Sequence, residues 1–192
     1  MPQPGMYLPD GAAALPKLGA ARRKALFLDR DGVININHGY VCSTERTEWV
    51  PGIFDLCMSA RNAGHVLVVV TNQAGIARGY FTETEFLDYT RWIHDEFEAR
   101  GLGILATLYC PHHPTAGVGE LCVECRCRKP ASGMFMLASE LFDLVLGESV
   151  MVGDKESDLQ AASGAGIIKN FLVNSANNRT FDEVINYLDH SS

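Results

Sequence analysis

Basic charge is scarce in this sequence: 16 Lys and Arg stand against 23 Asp and Glu, a formal net charge of -7. Gripping a run of phosphates needs a basic face, so nucleic acid is not an expected partner. A local basic pocket for one small phosphorylated ligand stays open. Long apolar runs are missing too. None approaches the roughly 20 residues that span a bilayer, so no membrane partner is expected. The opening stretch MPQPGMYLPDGAAALPKLGAARRK lacks the apolar core of a secretory signal, with Pro at 2, 4, 9 and 16 and an acidic Asp10. Residues 1–22 read as an extended N-terminal arm. Beyond it there is no internal repeat and no low-complexity run. Six cysteines without a secretion signal favour reduced thiols or metal ligands over disulfides, and a cytoplasmic location. The remaining residues, 23–192, are enough for one self-sufficient core, expected to work as a monomer.

What is present is alternation. Apolar residues make up 47% and charged residues 20%, the balance of a globular domain. Ala25–Leu28 reads as a strand. GIFDLCMSARNAG (52–64) reads as a helix entered after Pro51. HVLVVVT (65–71) is a β-branched run suited to a strand covered on both faces. Thr82 and Glu85 form a capping-box pattern for a helix running to about Arg100. Strands over 104–110, 149–153 and 167–173 alternate with helices over 133–146, 158–163 and 181–189. Alternating strands and helices give a three-layer, doubly wound, mainly parallel α/β sheet of Rossmann-like type. Ligands in such sheets bind beyond the carboxyl ends of the strands. Asp29, Thr71 and Asp154 each close a strand, so all three fall on that rim.

The rim carries the chemistry. KALFLDRDGVI (24–34) ends its strand in Asp29 and Asp31. A surface turn could use Asp31-Gly32 with no chemical role. Buried carboxylates, by contrast, need a partner or a metal. MVGDKESD (151–158) ends a second strand in Asp154, with Asp158 four residues on. Together these strand ends offer hard oxygen ligands suited to Mg²⁺, which also binds substrate phosphate. TNQAGIARGY (71–80) offers the Thr71 hydroxyl, the Asn72 and Gln73 side chains and free backbone N–H groups for a phosphate. RCRKP (126–130) adds Arg126, Arg128 and Lys129 just ahead of a helix.

DRDGV, TNQAG, RKP and VGDKESD resemble, in order, the four motifs of the haloacid-dehalogenase-like phosphohydrolases, across about residues 24–173. The resemblance implies that fold without a large cap domain, and an aspartyl-phosphate mechanism. Asp29 would be the nucleophile. Asp31 would be the general acid and then the general base. Mg²⁺ would be held by Asp29, by Asp31 through its backbone carbonyl, and by Asp154. Thr71 and Lys129 would hold phosphoryl oxygens, and Lys155 would contact substrate. Asp158 is left open between a metal contact and a loop support.

Four of the six cysteines cluster in CPHHP (110–114) and CVECRCRK (122–129). Cys110, His112, Cys125 and Cys127 make a four-ligand set for structural Zn²⁺, with Cys122 and His113 as rivals. Cys42 and Cys57 read as buried apolar residues. A metal would clamp the loop 111–126, which is too long to hold one shape unaided. That loop leads straight into Arg128 and Lys129. Two branches of the resembled family share such a zinc loop: one takes a sugar bisphosphate, the other histidinol phosphate. GIARGYF (75–81) resembles the first. NHGYV (37–41) offers Asn37, His38, Gly39 and Tyr40 to sugar hydroxyls, and Arg128 a cation for a distal phosphate. The expected partner is therefore a small phosphorylated sugar. Asn37 and Ala74 depart from the Asp and Ser that often stand there in the sugar branch.

Overall fold

The computed structural model describes residues 2–9, 22–177 and 179–190. Six strands form one sheet: β1 (Gly5–Tyr7), β2 (Lys24–Leu28), β3 (His65–Asn72), β4 (Ile104–Cys110), β5 (Val150–Gly153) and β6 (Lys169–Leu172). Their spatial order is β1-β4-β3-β2-β5-β6. Every pairing is parallel except that of β1 with β4. Among the described residues six α-helices accompany the sheet: α1 (Ile53–Asn62), α2 (Ala74–Ala77), α3 (Glu83–Glu98), α4 (Gly133–Phe142), α5 (Glu156–Gly164) and α6 (Asp182–Asp189).

Successive side chains of a strand point to opposite faces, and here both faces are apolar. Leu26, Leu28, Leu67, Val69, Val150 and Val152 join one buried cluster with residues of α1, α3 and α6. Ala25, Phe27, Val68, Val70 and Met151 join another with residues of α4 and α5. A continuous apolar strand is thus what a central parallel strand requires. The chain winds from β2 to β3 and β4 on one side, then returns to place β5 and β6 on the other. The switch point lies at the carboxyl end of β2, where Asp29 begins. Among the described residues no cap domain is inserted, and no helix is long and apolar enough to cross a membrane.

Several boundaries differ from those expected. Most of the expected arm, residues 10–21, lies outside the described residues. Of the rest, Gly5–Tyr7 adds an antiparallel edge strand too short to show periodicity. Helix α4 stops at Phe142 because Asp143 takes a left-handed conformation (φ 53°) and Leu144 then pairs with Arg23. The last strand narrows to Lys169–Leu172 at the sheet edge. The capping box at Thr82 and Glu85 is present.

Candidate active site

Parallel pairing of β2 with β5 sets the carboxylates side by side. The Asp29 N–H donates to Val152 O at 3.1 Å, which carries the sheet register into the loop. Asp29, Asp154 and Asp158 then bring carboxylate oxygens within 4.8 Å of one another. Gly32 (φ +95°) makes this approach possible, since a Cβ there would stand 2.3 Å from Asp154 Oδ2. Three carboxylates so close repel. Burial first, and then the Asp29 charge, push the Asp154 carboxyl up to about 6. A divalent cation among them would relieve that repulsion, and hard oxygens are what Mg²⁺ prefers.

Lys129 is the counter-charge. It is buried, and its Nζ lies 3.0 Å from Asp29 Oδ1 and 2.7 Å from Asp158 Oδ1, and donates to Val70 O at 2.8 Å. Burial pushes its pKa down, but Asp29 and Asp158 more than offset this, so the ammonium stays charged. Asn72 positions it through a reciprocal pair of hydrogen bonds with the Lys129 backbone, each 3.0 Å. Asp158 also accepts from the Lys155 N–H at 3.0 Å. Lys155 itself, half-exposed, reaches Asp154 Oδ1 at 3.2 Å.

Asp31 sits two residues beyond Asp29 and is held by three donors. Arg30 Nη2 (2.7 Å) and Gln73 Nε2 (3.2 Å) donate to its Oδ2, and Asn35 Nδ2 (3.1 Å) to its Oδ1. Gln73 also donates to Thr71 Oγ1 at 2.9 Å, so the two strand-end motifs interlock.

These groups face a cavity of about 290 Å³ lined by Asp29, Asp31, Thr71, Gln73, Lys129 and Asp158 at its floor. Asn37, Gly39, Tyr40, Asn72, Arg128 and Lys155 line it further out. Tyr40 packs edge-on against Tyr80, ring centroids 4.7 Å apart, at the mouth. His38 stands outside the lining, half-exposed, with Nε2 3.2 Å from Glu48. Asp154, though clustered with Asp29 and Asp158, is not among the residues that line this cavity; it lines a neighbouring hollow with Leu172, Val173, Asn174 and Ser175.

The second cluster sits one loop away. Cys110, His112, Cys125 and Cys127 bring their ligand atoms within 4.8 Å of one another. Cys127 Sγ lies 3.4 Å from Cys110 Sγ, 3.3 Å from Cys125 Sγ and 3.4 Å from His112 Nδ1. Tetrahedral zinc with about 2.3 Å bonds to sulfur spaces its ligands by a little under 4 Å, so the set fits that ion. Hydrogen bonding from Cys110, ahead of other causes, pulls Cys127 down to about 5, and thiolate is the ligating form. Neither rival joins: Cys122 is exposed with its Sγ near Pro114 O, and His113 Nδ1 accepts from Thr115 and Ala116 N–H groups. Cys57 is buried and Cys42 half-buried. Arg128 ties this cluster to the cavity, its Nη1 donating to His112 O at 3.1 Å.

Three groups escape sequence reasoning. Arg30 lies between two aspartates and gives no local sign of burial, yet it is 2% exposed. Asn35 and Ser157 carry no motif signal beyond their proximity to the Asp29 and Asp154 strand ends.

Known proteins resemble this chain in sequence and in fold. The family profile described as "HAD-hyrolase-like" matches residues 126–185. A Burkholderia mallei protein, D-glycero-alpha-D-manno-heptose-1,7-bisphosphate 7-phosphatase, is 47% identical over 79% of this chain and 80% of its own length. A Vibrio cholerae protein, named for the beta anomer, is 44% identical over 79% of this chain and 81% of its own. Among solved structures, a Mesorhizobium loti protein described as HAD-like superposes with a TM-score of 0.85 at 29% identity, covering 100% of this chain and 96% of that one. The D,D-heptose 1,7-bisphosphate phosphatase of B. bronchiseptica, solved with magnesium and phosphate, gives 0.69 at 32% identity, covering 83% and 86%.

Proposed function

This chain belongs to the haloacid-dehalogenase-like D-glycero-D-manno-heptose-1,7-bisphosphate 7-phosphatases, and we propose that it removes the 7-phosphate of a heptose 1,7-bisphosphate and leaves the 1-phosphate in place. The product would feed nucleotide-heptose and lipopolysaccharide precursor synthesis in the cytoplasm. One observation carries the reading. A single cavity holds the Asp29–Lys129–Asp158 triad on its floor and two further cations, Arg128 and Lys155, on its wall. One phosphate can meet the carboxylate while the other meets a cation.

Asp29 attacks the 7-phosphorus, and the bond from phosphorus to the sugar oxygen breaks with its electron pair on that oxygen. Asp31 supplies the proton the oxygen needs. Water then attacks the aspartyl-phosphate, Asp31 takes its proton, and the cleaved bond returns Asp29 as carboxylate with inorganic phosphate. Lys129 and Thr71 hold the phosphoryl oxygens throughout; such positioning and charge stabilisation account for most of phosphoryl-transfer catalysis. Asp29, Asp154 and the Asp31 backbone carbonyl would hold Mg²⁺, which neutralises phosphate charge. Zinc on Cys110, His112, Cys125 and Cys127 would leave no open position and would be structural. Asn37, Gly39 and Tyr40 would meet the sugar, with His38 at the rim.

The test is kcat/KM with Mg²⁺ for both anomers of the heptose bisphosphate, fructose 1,6-bisphosphate and histidinol phosphate. A heptose anomer should rank first, with one phosphate released per molecule. A preference for histidinol phosphate would overturn the assignment.

A further inference from the structure

Arg30 is the largest fully buried side chain among the described residues. Its guanidinium carbon lies 5.5 Å from the Phe86 ring centroid and 5.2 Å from that of Tyr89, both on α3. One nitrogen, Nη2, carries all its polar contacts: Asp31 Oδ2 at 2.7 Å, Val41 O at 2.7 Å and Gln73 Oε1 at 3.4 Å. Nε and Nη1 have no hydrogen-bond partner among the described residues. A packing role does not account for this. Replacing a buried ion pair with apolar side chains is often neutral or stabilising. A half-satisfied buried guanidinium is a poor way to fill a core, but a good way to aim a carboxylate.

The lone pairs of Asp31 show what is being aimed. A carboxylate offers about two acceptor sites on each oxygen. Arg30 and Gln73 take both on Oδ2, while Asn35 takes one on Oδ1. The free site is on Oδ1. We infer that Arg30 is a positioning residue, which locks the Asp31 rotamer and reserves Oδ1 for the proton that passes to the leaving sugar oxygen. The same nitrogen holds Val41 O, at the end of the 37–41 loop that lines the mouth. Arg30 therefore registers the mouth loop against the group that protonates the leaving oxygen. The inference rests on the reading of Asp31 as general acid.

Leaving groups separate this role from a structural one. A sugar oxygen departs as an unstable alkoxide unless it is protonated; p-nitrophenolate departs stably without a proton. Arg30→Met, Arg30→Lys and Asp31→Asn are assayed on heptose bisphosphate and on p-nitrophenyl phosphate by kcat/KM, which reports the steps up to departure of the leaving group and leaves out the later hydrolysis of the aspartyl-phosphate. Loss of well-placed acid catalysis costs about 10²-fold or more, so Arg30→Met should lose about that on the sugar. It should lose at least about tenfold less on the nitrophenyl ester, and Arg30→Lys should fall between Met and wild type. Equal losses on both esters in the Arg30 variants, with a leaving-group-dependent loss in Asp31→Asn, would overturn the positioning role alone. Equal losses in Asp31→Asn as well would overturn the general-acid reading and this inference with it. If Arg30→Met does not fold, Arg30→Lys, which keeps the buried charge, is judged by the same comparison of losses.

Discussion

The two clusters of metal-ligating side chains are built by opposite means. The carboxylates come from strand ends far apart in sequence, Asp29 after β2 and Asp154 after β5, and only sheet register brings them together. The thiols and imidazole come from one stretch, residues 110–127, set by short local spacings. The first cluster crowds like charge, leans on Lys129 and Lys155, and opens onto a cavity. The second is closed on itself. The difference shows what chemistry requires. A site that handles phosphate keeps charge in excess and a side left open; a clamp satisfies every ligand. The two meet within two residues, because Arg128 and Lys129 directly follow Cys127. That turn is tight. The Gly133 N–H donates to Arg126 O at 3.0 Å, and a Cβ on Gly133 would stand 2.3 Å from that oxygen. The shape of the cysteine loop is thereby passed to the lysine on the cavity floor.

If the clusters divide labour this way, one variant in each should fail differently. Asp29→Asn removes the proposed nucleophile, and turnover should fall by about 10⁴-fold or more while the fold persists. Cys125→Ser should keep measurable turnover, lower the zinc content below one per chain, and speed hydrogen exchange in residues 111–129 more than in the sheet. Phosphate release, elemental analysis and exchange mass spectrometry read the three effects. Near wild-type turnover in Asp29→Asn would remove the covalent mechanism. A Cys125→Ser protein with full zinc and unchanged exchange would remove the clamp.

Lys129 belongs to both halves, so its loss should show in stability as well as rate. Removing one partner of a buried ion pair leaves the others uncompensated, at a cost of about 3–5 kcal/mol. Lys129→Met leaves two buried carboxylates, Asp29 and Asp158, in that state. Denaturant unfolding should show a loss of that order. The double variant Lys129→Met/Asp158→Asn should recover part of it, since one stranded charge is gone. No recovery would mean that Asp158 does not depend on Lys129.

Much of this was legible in the sequence because the motifs sit at strand ends, where apolar runs stop abruptly. β4 falls on 104–110 as read, and Asp29, Thr71 and Asp154 stand at or just past the carboxyl ends of β2, β3 and β5, as the winding rule expects. What was not legible depends on distant partners. Phe86 and Tyr89 of α3 help to cover Arg30, and nothing local announces that. The end of α4 at Phe142 depends on Leu144 finding Arg23, some 120 residues earlier in the chain. Asp158 offers the same lesson: its spacing allowed a metal contact or a loop support, and the fold gives it Lys129 and the Lys155 N–H while keeping it within reach of a metal.

The smallest expected effect tests the excess charge itself. The folded state raises the Asp154 carboxyl from the ordinary 3.8 to about 6, so without metal it binds that proton more tightly than the unfolded chain does. The sign follows: the contribution of this one group to metal-free stability is fully present below about pH 4 and is lost as pH rises through 6, because the unfolded chain releases this proton first. Mg²⁺ needs the deprotonated carboxylate and competes with the same proton. Added Mg²⁺ should therefore raise the thermal midpoint more near pH 7.5 than near pH 5. Saturation at 100 times Kd is worth about 2.7 kcal/mol, or roughly 5–10 °C for a chain of this size. In Asp154→Asn the side chain carries no charge, so both the metal-free decline with pH and the Mg²⁺ shift at pH 7.5 should shrink. The cysteine cluster makes no such demand on Mg²⁺, so Cys125→Ser should keep the difference between the two pH values. A Mg²⁺ shift of equal size at both, in protein that binds the ion, would mean that the carboxylates are not held in the excess that separates this cluster from the clamp.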